Sequence, residues 1–550
     1  MLESPFAEVA ALLLAAALLG ALALRLRQPL ILAFIVVGVL QGPAVLGWVT
    51  ASDQIDLLAK IGIALLLFVV GLKLDLRLVR TLGPLVLAAG LGQMAFSALL
   101  GYGLSRVLGF EPIAALYTAL ALAFSSTIIV VKLLSDKREI DALHGRTAVG
   151  VLIVQDLAVL LVILGLTAFG GAEPGEGFWG TAAEILLESA AMLVLLVVAM
   201  RYVLPALLDR LAASSELLVL FAVAWAVALA AAAEWIGFSK EVGAFLGGVS
   251  LASTPYREAI GARLVSLRDF LLLFFFIDLG AGLDLGLLLG HAGMAVALSL
   301  SVLVGKPLVF LAILGALGYR KRTSFLTGLS LSQISEFSLI LAALGTSLGH
   351  IDRSTLSVIT LVALVTIGVS TYLTLYAHPL YERLAPWLRI FERRSPHPEE
   401  LGDGSALDEP PDVILFGLGR YGGEIAHGLV ARGRNVLGID FDPQAVSAWR
   451  GEGLNARYGD AHDPELLPHL PLARAEWVVS TAVEPDVNAA LLAALRAHHF
   501  EGRVALRAHD PRDVEALERA GADLVLAPFR DGAKEAVNVL TAGLENRTPA

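Results

Sequence analysis

Long apolar stretches, each ended by a short charged or Gly/Pro-rich break, recur along the first 394 residues. A helix needs about 20 mostly apolar residues to cross a bilayer. The breaks lie near residues 25–29, 50–56, 75–83, 106–112, 135–145, 170–180, 201–215, 234–241, 254–269, 284–292, 318–324, 349–355 and 378–395. This pattern predicts an all-α polytopic membrane domain of about thirteen spans, of which the second, ninth and tenth are short or glycine-rich. From residue 412 onward, short strands alternate with amphipathic helices, which predicts a C-terminal α/β Rossmann-like domain.

The positive charges of the apolar part fall mainly in alternate breaks. With the N-terminus outside, 21 of the 26 Lys and Arg residues in 1–394 lie on the cytoplasmic side, as the positive-inside rule requires. We therefore expect the C-terminal domain in the cytoplasm. The first span carries Glu3 and Glu8 and no positive residue ahead of its apolar stretch, so we expect it to be retained and not cleaved as a signal peptide.

Composition separates the two parts and excludes several functions. Hydrophobic residues make up 57% of the chain and charged residues 17%, which is a bilayer composition. The predicted boundaries are 1–394 for the membrane domain, 395–411 for a linker and 412–550 for the soluble domain. Residues 395–550 hold 14 Lys and Arg against 25 Asp and Glu, and so carry the whole net charge of −11. An acidic domain without basic patches argues against nucleic acid, and a chain without cysteine has no disulfides or thiolate metal sites.

A displacement of 209 residues lays one part of the membrane domain onto another. It brings residues 71–76 onto 280–285, and Ser126-Thr127 onto Ser335-Glu336. Each pair lies seven spans apart, and an odd number of spans reverses direction. The repeats therefore have inverted topology, as in alternating-access transporters. Both contain a span interrupted by small polar residues, Phe124-Ser125-Ser126-Thr127 in one and Ser330-Leu331-Ser332-Gln333-Ile334-Ser335-Glu336-Phe337 in the other.

The interruptions and one acidic residue predict an ion site. Two broken helices that cross expose backbone carbonyls able to replace the water around an ion. Asp156, beside Gln155 in span six, is a carboxylate among apolar residues, and a charge at that depth indicates function by default. Such a carboxylate can hold a proton in one state and a cation in the other, which gives exchange. The simpler reading is an Asp buried to bond neighbouring helices.

Five other charged residues of the membrane domain have candidate roles. Lys306 is the only positive residue deep in a span; it either pairs with Asp156 until a cation displaces it, or is a structural counter-charge. Glu336 either caps a half-helix or lines the ion pathway, and the role of Asp278 stays open. Asp75 and Asp284 lie at span ends, where helix capping is the expected role.

The soluble domain carries a dinucleotide fingerprint. The predicted strand 412–416 runs into Gly417-Leu418-Gly419-Arg420-Tyr421-Gly422, a helix follows, and a second strand ends at Asp440. The glycines permit a tight turn and close approach of phosphate to the helix N-terminus, and the acid accepts from ribose hydroxyls. Asp460, after a third strand, is expected near the base of the ligand. Because the domain has only about 140 residues and no second domain for a hydride acceptor, we expect regulation and not catalysis.

These residues resemble the Kef-type monovalent cation/proton antiporters with a C-terminal RCK/TrkA-N domain, over nearly the whole chain. The motif residues stand here as Ser125-Ser126-Thr127, Gln155-Asp156, Gly243-Ala244-Phe245-Leu246-Gly247-Gly248, Lys306, Ser332-Gln333-Ile334-Ser335-Glu336-Phe337, Gly417-Leu418-Gly419-Arg420-Tyr421-Gly422 and Gly459-Asp460-Ala461.

The resemblance implies a homodimer in a bacterial-type inner membrane. It also implies an ion site at Asp156 and the broken helices, and NAD(H) or AMP/ATP as regulatory ligand, without a structural metal. Gln155-Asp156 stands where electrogenic sodium exchangers have two Asp residues, which favours one-for-one exchange and K⁺ over Na⁺. Residues 261–266 lack the acidic run of the glutathione-gated branch, so we do not expect glutathione gating.

Three other functions have sequence requirements that can be compared with this chain. A potassium channel with the same cytoplasmic domain would show a T-x-G-[YF]-G filter, which the sequence lacks. A membrane-anchored NAD-dependent oxidoreductase would need an acid or base beside the nicotinamide, and His427 and His462 are more simply surface residues. A sensor without transport would not need Asp156 and Lys306.

Overall fold

The computed structural model describes residues 5–42, 45–47, 52–73, 84–137, 139–140, 142–169, 196–212, 214–236, 239–283, 285–391, 410–461, 466–483, 485–508 and 510–545. Its residues form two compact units. The first contains Met1–Lys137, Thr147–Leu314 and Ser324–Phe391, and the second contains Arg138–Arg146, Gly315–Thr323 and Glu392–Ala550. Most of the predicted linker, and most of predicted span seven, lie outside the described residues, as do Asp75 and Asp284.

The described residues of the membrane domain form helices joined by short non-helical segments. In chain order the helices are α1 (Pro5–Arg25), α2 (Leu30–Gln41), α3 (Ser52–Lys73), α4 (Pro84–Val107), α5 (Pro112–Ala123), α6 (Thr127–Asp136), α7 (Leu143–Phe169), α8 (Leu204–Leu211), α9 (Ser215–Ile236), α10 (Lys240–Ala252), α11 (Arg257–Ala281), α12 (Leu285–Leu300), α13 (Lys306–Leu317), α14 (Lys321–Ser330), α15 (Glu336–Ser347), α16 (Arg353–Leu375) and α17 (Ala377–Leu388). Within the described residues, eight helical stretches are long and apolar enough to cross a membrane. The count of thirteen spans stays a prediction.

Three predicted breaks are largely helical: α8 lies within 201–215, α11 begins within 254–269, and α17 lies almost wholly within 378–395. Residues 254–269 were interpreted as a charged break before a short tenth span, but α11 begins at Arg257 and runs for 25 residues. Arg, Glu and Asp are compatible with a helix, so the charged segment continues the helix of the apolar one. The length of the tenth span within a membrane stays a prediction.

Two π-helical turns precede prolines. Ala199–Val203 lies before Pro205, and Ser301–Gly305 lies before Pro307. Proline has no N–H to donate to the carbonyl four residues back, so the helix widens locally, as π turns do. The second turn leads directly into Lys306.

Glycines bring two pairs of helices into backbone contact. Gly71 of α3 and Gly248 of α10 lie where an added Cβ would overlap a carbonyl of the other helix, and Gly38 of α2 and Gly280 of α11 do the same. Such contacts are typical of small residues between membrane helices. Gly71 and Gly280 are 209 residues apart, so the displacement seen in the sequence joins structurally equivalent positions.

The soluble domain is a six-stranded parallel sheet in the order β3-β2-β1-β4-β5-β6. Its strands are β1 (Val413–Phe416), β2 (Val436–Asp440), β3 (Ala456–Tyr458), β4 (Trp477–Ser480), β5 (Arg503–Arg507) and β6 (Leu524–Leu526), and its helices are α18 (Arg420–Val430), α19 (Pro443–Gly451), α20 (Pro485–Ala497), α21 (Pro511–Ala520) and α22 (Pro528–Glu545). The strand order reverses between β1 and β4, where ligands of such sheets bind at the carboxyl ends. The predicted open parallel sheet is confirmed.

Candidate functional site

Both predicted helix interruptions are present. α5 ends at Ala123 and α6 begins at Thr127, while α14 ends at Ser330 and α15 begins at Glu336. Ser126 and Ser335 hold the equivalent N-cap positions of α6 and α15, in extended conformation, and each hydroxyl accepts a backbone N–H of the following turn. Serine caps of this kind start a new helix. The residues 209 apart therefore have the same structural role.

The two interruptions contact each other. Ser125 Oγ donates to the carbonyl oxygen of Leu331 at 2.9 Å, and Ser338 Oγ donates to the carbonyl oxygen of Ala121 at 2.6 Å. Residues 124–126 and 331–335 are buried. The non-helical backbone of both segments thus lies inside the protein, where a polar backbone at membrane depth has to lie.

Asp156 and Gln155 of α7 reach the first interruption. Asp156 Oδ2 accepts a hydrogen bond from Thr127 Oγ1 at 3.0 Å. Gln155 Oε1 accepts from the backbone N–H of Ser125 at 2.9 Å. The structure therefore brings the predicted carboxylate and amide together with the serine and threonine of the broken helix.

Gln93 of α4 belongs to the same network and was not predicted. Its Oε1 accepts from Gln155 Nε2 at 2.5 Å, and its Nε2 donates to Ser97 Oγ at 2.9 Å and to the carbonyl oxygen of Ala123 at 3.2 Å. Gln93 thus fixes the amide orientation of Gln155 and holds the C-terminal end of α5. A glutamine within an apolar span is the signal that would have identified it.

Lys306 joins the two interruptions. Its Nζ donates to the carbonyl oxygens of Phe124 and Gln333, both at 2.8 Å, and to Ser125 Oγ at 3.1 Å. Within the described part of the chain it makes no ion pair with Asp156, so the prediction of a Lys306–Asp156 pair was wrong for this conformation. The physical reason is that both carbonyls follow the C-terminal end of a half-helix, where the helix dipole favours a cation.

The second interruption places its three predicted residues differently. Ser332 Oγ donates to the carbonyl oxygen of Leu329 at 2.6 Å, a local bond within its own turn. Gln333 Oε1 accepts from Ser370 Oγ of α16 at 2.6 Å, and its Nε2 is buried without a partner among the described residues. Glu336 is buried, lies near the Ser126 hydroxyl, and likewise leaves Oε2 without a partner. Ser370 was not predicted, since a serine in an apolar helix gives no distinct signal.

The remaining in-span carboxylate lies elsewhere. Asp278 of α11 interacts electrostatically with Asp56 and Lys60 of α3. Asp156, by contrast, interacts with Glu336. Asp156 and Thr127, which are bonded to each other, together offer a carboxylate and a hydroxyl oxygen, which are ligands of the kind that a hard monovalent cation takes.

The glycine fingerprint forms the predicted turn between β1 and α18. Gly417 has a φ of 92°, which favours glycine, and an added Cβ on Gly422 would overlap the Gly417 carbonyl. Gly419 faces open space and is the N-cap of α18. The turn therefore requires Gly417 and Gly422 for its own geometry, while Gly419 leaves room at the helix N-terminus, where phosphate binds.

Asp440 closes the turn from the end of β2. Its Oδ2 accepts from the Leu418 N–H at 2.5 Å, and its Oδ1 accepts from the Asp442 N–H at 2.8 Å. Burial raises the pKa of the Asp440 carboxyl, although these two N–H groups act in the opposite direction. Asp440 and Asp460 lie at the ends of neighbouring strands, as predicted, and Arg420 is exposed in the first turn of α18.

Two further residues at the carboxyl edge were not predicted. Thr481, after β4, donates its hydroxyl to the carbonyl oxygens of Phe416 and Gly417 at 3.2 and 3.0 Å. Arg507, at the end of β5, places its guanidinium 5.7 Å from the ring centre of Tyr421, and its Nε is buried without a partner among the described residues. A threonine and an arginine that end successive strands are the signal that would have identified them.

Comparison with known proteins covers both parts of the chain. Residues 12–375 match the family described as "Sodium/hydrogen exchanger, transmembrane", and residues 413–528 match the TrkA-N domain. Over 541 residues the chain is 28% identical to the putative cation/proton antiporter YbaL of Escherichia coli, with 96% of each chain covered. It is 30% identical to the glutathione-regulated potassium-efflux system protein KefC of Cronobacter sakazakii, covering 96% of this chain and 83% of KefC. The sodium proton antiporter MjNhaP1 of Methanocaldococcus jannaschii aligns over 70% of this chain and 98% of its own, with 15% identity and a TM-score of 0.48.

Proposed function

The chain belongs to the sodium/hydrogen exchanger family and is a cation/proton antiporter with a TrkA-N domain, and we propose that K⁺ is its cation and that an adenine nucleotide regulates it. The observation that carries the ion site is the position of Asp156. Its carboxylate is bonded to Thr127 at the first helix interruption, next to the Gln155 amide that is bonded to Ser125. A cation bound by the Asp156 carboxylate would have the Thr127 hydroxyl oxygen beside it as a further ligand.

One carboxylate at this position explains coupling. A protonated Asp156 is neutral, and an ionised Asp156 with one bound cation is neutral as a unit. The ionised carboxylate alone carries a charge that costs at least about 2.5 kcal/mol at the bilayer centre. The change of access is therefore easiest with either H⁺ or a cation bound, which gives one-for-one exchange. Gln155, an uncharged neighbour, adds an oxygen without adding a second charge to neutralise.

The preference for K⁺ is supported by two observations. The KefC relative is named a potassium-efflux protein, and Gln155 replaces the second acid that the resemblance to sodium exchangers would place there. Na⁺ stays the alternative, and the two cations are separated by the experiment.

Proton flux in proteoliposomes tests this function. We expect K⁺ to trigger movement of H⁺, read with a pH-sensitive dye, in the wild type and in the control Asp136→Asn, whose side chain is exposed at the end of α6. Asp156→Asn should abolish it. A stronger response to Na⁺ would contradict the choice of cation, and full flux in Asp156→Asn would remove the carboxylate from the mechanism. Movement of K⁺ without H⁺ would indicate a channel.

Nucleotide binding is supported by the geometry of the carboxyl edge. Gly419 leaves space at the N-terminus of α18, and Asp440 lies at the end of the adjacent strand, 22 positions after Leu418, to whose N–H it is bonded. The adenosine ribose of NAD(H), AMP and ATP has a free 2′-hydroxyl, which can donate a hydrogen bond to such an acid. Calorimetric titration of the full-length protein with NADH, AMP and ATP ranks them. No heat from any of the three would contradict this part of the proposal.

A homodimer is supported by α22. Phe529, Val537 and Leu540 are between 60% and 73% exposed and lie on one side of this helix, a stripe that a second copy would cover. Because the chain has no cysteine, Val537→Cys gives a single reactive thiol. We expect a crosslinked dimer from membranes carrying it, and none from the control Lys534→Cys if the apolar side alone makes the contact.

The proposed orientation places the N-terminus outside and the TrkA-N domain in the cytoplasm. This orientation is supported because Lys and Arg are concentrated in alternate breaks, which the positive-inside rule assigns to the cytoplasmic side. Single cysteines introduced at Asp56 and at Arg434 would be labelled by an impermeant maleimide from opposite sides of the membrane. Labelling of both from one side would contradict the orientation.

A further inference from the structure

Two arginines form ion pairs with aspartates at the carboxyl edge of the Rossmann sheet. All four residues belong to the second compact unit, which includes the short segments Arg138–Arg146 and Gly315–Thr323. Arg322 Nη1 lies 2.6 Å from Asp460 Oδ2, and Arg146 Nη1 lies 3.0 Å from Asp442 Oδ1. Asp442 follows β2 by two residues and Asp460 follows β3 by two residues. Both aspartates therefore lie at the edge where the nucleotide is proposed to bind.

The two pairs differ in exposure. The side chains of Arg322 and Asp460 are 9% and 21% exposed, whereas those of Arg146 and Asp442 are 37% and 31% exposed. A shielded pair is screened little by salt, and removal of one partner leaves the other charge uncompensated. A more exposed pair contributes less. The Arg322–Asp460 pair is thus the stronger connection.

A ligand at this edge would disturb the partners of these aspartates. The Asp440 carboxylate is already occupied by the N–H groups of Leu418 and Asp442. Ribose hydroxyls that donate to Asp440 would compete with the Asp442 N–H, and Asp442 is the residue that holds Arg146. A base beside Asp460 would likewise compete with Arg322 for the carboxylate.

Each arginine lies in the first turn of a helix that leads to the ion site. Arg146 is the fourth residue of α7, and Asp156 follows it by ten residues in the same helix, about 15 Å along the axis. Arg322 is the second residue of α14, which ends at Ser330 and runs straight into the second interruption. A change in either ion pair therefore acts on a rigid element that positions ion-site residues.

We propose that nucleotide occupancy controls transport by making or breaking the Arg322–Asp460 ion pair, with the Arg146–Asp442 pair as a weaker second connection. This inference rests on the proposed regulation by nucleotide. Coupling between two binding sites is reciprocal. Saturating K⁺ therefore changes the affinity for the nucleotide by the same factor by which the nucleotide changes the affinity for K⁺.

The test measures nucleotide binding and flux separately, on the full-length protein. AMP and NADH serve as probes, binding is followed by calorimetry, and K⁺-triggered H⁺ flux is measured in proteoliposomes with and without each probe. The variant is Arg322→Gln. The control is Arg434→Gln, which alters an Arg–Asp pair with a 3.9 Å separation at the opposite edge of the same sheet.

We expect Arg322→Gln to bind the probe at least as tightly as the wild type, because Arg322 no longer competes for Asp460, while its flux becomes the same with and without probe; Arg434→Gln should respond as the wild type does. If the wild type responds and Arg322→Gln responds equally, the inference is wrong and the proposed regulation stands. If a bound probe leaves the flux of the wild type unchanged, the proposed regulation itself is wrong.

Arg322→Lys and Arg322→Glu cover the case in which Arg322→Gln does not reach the membrane, and neither changes Asp460, where the base of the ligand is expected. A flux response to the probe that is kept in Arg322→Lys and lost in Arg322→Glu supports the pair. Equal responses in the two variants overturn it.

Discussion

Replacing Lys306 by methionine removes the ammonium that joins the two helix interruptions and keeps a side chain of similar length. The carbonyl oxygens of Phe124 and Gln333 each lose a donor at 2.8 Å. A buried acceptor left without a partner costs about 1–3 kcal/mol, so the two together give about 2–6 kcal/mol. The variant also no longer has to desolvate a charge. We therefore expect the lower part of that range, a destabilisation of about 2–3 kcal/mol.

Unfolding of the purified full-length protein, followed by tryptophan fluorescence in detergent, measures this loss. Lys60→Met is the matched control, because the Lys60 side chain is 52% exposed and its ion pair with Asp56 lies within its own helix turn; its effect should stay within about 0.5 kcal/mol. Lys306→Gln, which keeps an amide donor, should fall between the two. Equal stability of Lys306→Met and Lys60→Met would refute the structural role of Lys306 and favour its other interpretation, a counter-ion of Asp156.

Three other predictions concern the glycine contacts and Gln93. Gly248→Ala should destabilise the membrane domain by more than about 1 kcal/mol in the same unfolding assay, because its Cβ meets backbone. The control Gly103→Ala, with open space around it, should be neutral or stabilising. Gly419→Ala should weaken AMP or NADH binding and leave the stability of the TrkA-N domain unchanged. Gly422→Ala should lower the stability of that domain, because its Cβ has no room. A stability loss in Gly419→Ala and none in Gly422→Ala would contradict the geometry. Gln93→Leu should slow K⁺-triggered H⁺ flux by at least about tenfold. That factor is the equivalent of about 1.4 kcal/mol, which is what one lost buried hydrogen bond is worth. An unchanged rate would show that the orientation of the Gln155 amide does not affect transport.

Features that depend on local pattern were predictable from the sequence. Serine starts a helix wherever its hydroxyl can accept an N–H of the first turn, and so Ser126 and Ser335 mark both interruptions in the sequence as in the structure. The Rossmann sheet follows equally from alternating apolar strands and a glycine turn. Asp156 was recognised because an acid in an apolar span is conspicuous.

Features that depend on how helices turn towards one another were not predictable. The depth of Lys306 along its span was evident, but its partners are set by helix rotation and by the π turn at Ser301–Gly305. Gln93 and Ser370 are uncharged, and a sequence does not distinguish a polar side chain bonded within its helix from one bonded across to another. The ion pairs of Arg146 and Arg322 join segments far apart in the chain, which no local pattern records.

The glycine contacts divide the membrane domain by stiffness. α3 contacts α10 and α11 extensively, α2 contacts α11, and Gly71, Gly248, Gly38 and Gly280 bring backbone against backbone at these crossings. Helices in such contact cannot slide past one another without collision, so α2, α3, α10 and α11 should move as one rigid block. The two interruptions also contact each other through side-chain hydrogen bonds, including those of Ser125 and Ser338, which exchange partners at small cost. Any rearrangement that opens the cation site to one side and then the other should therefore leave the four-helix block undeformed.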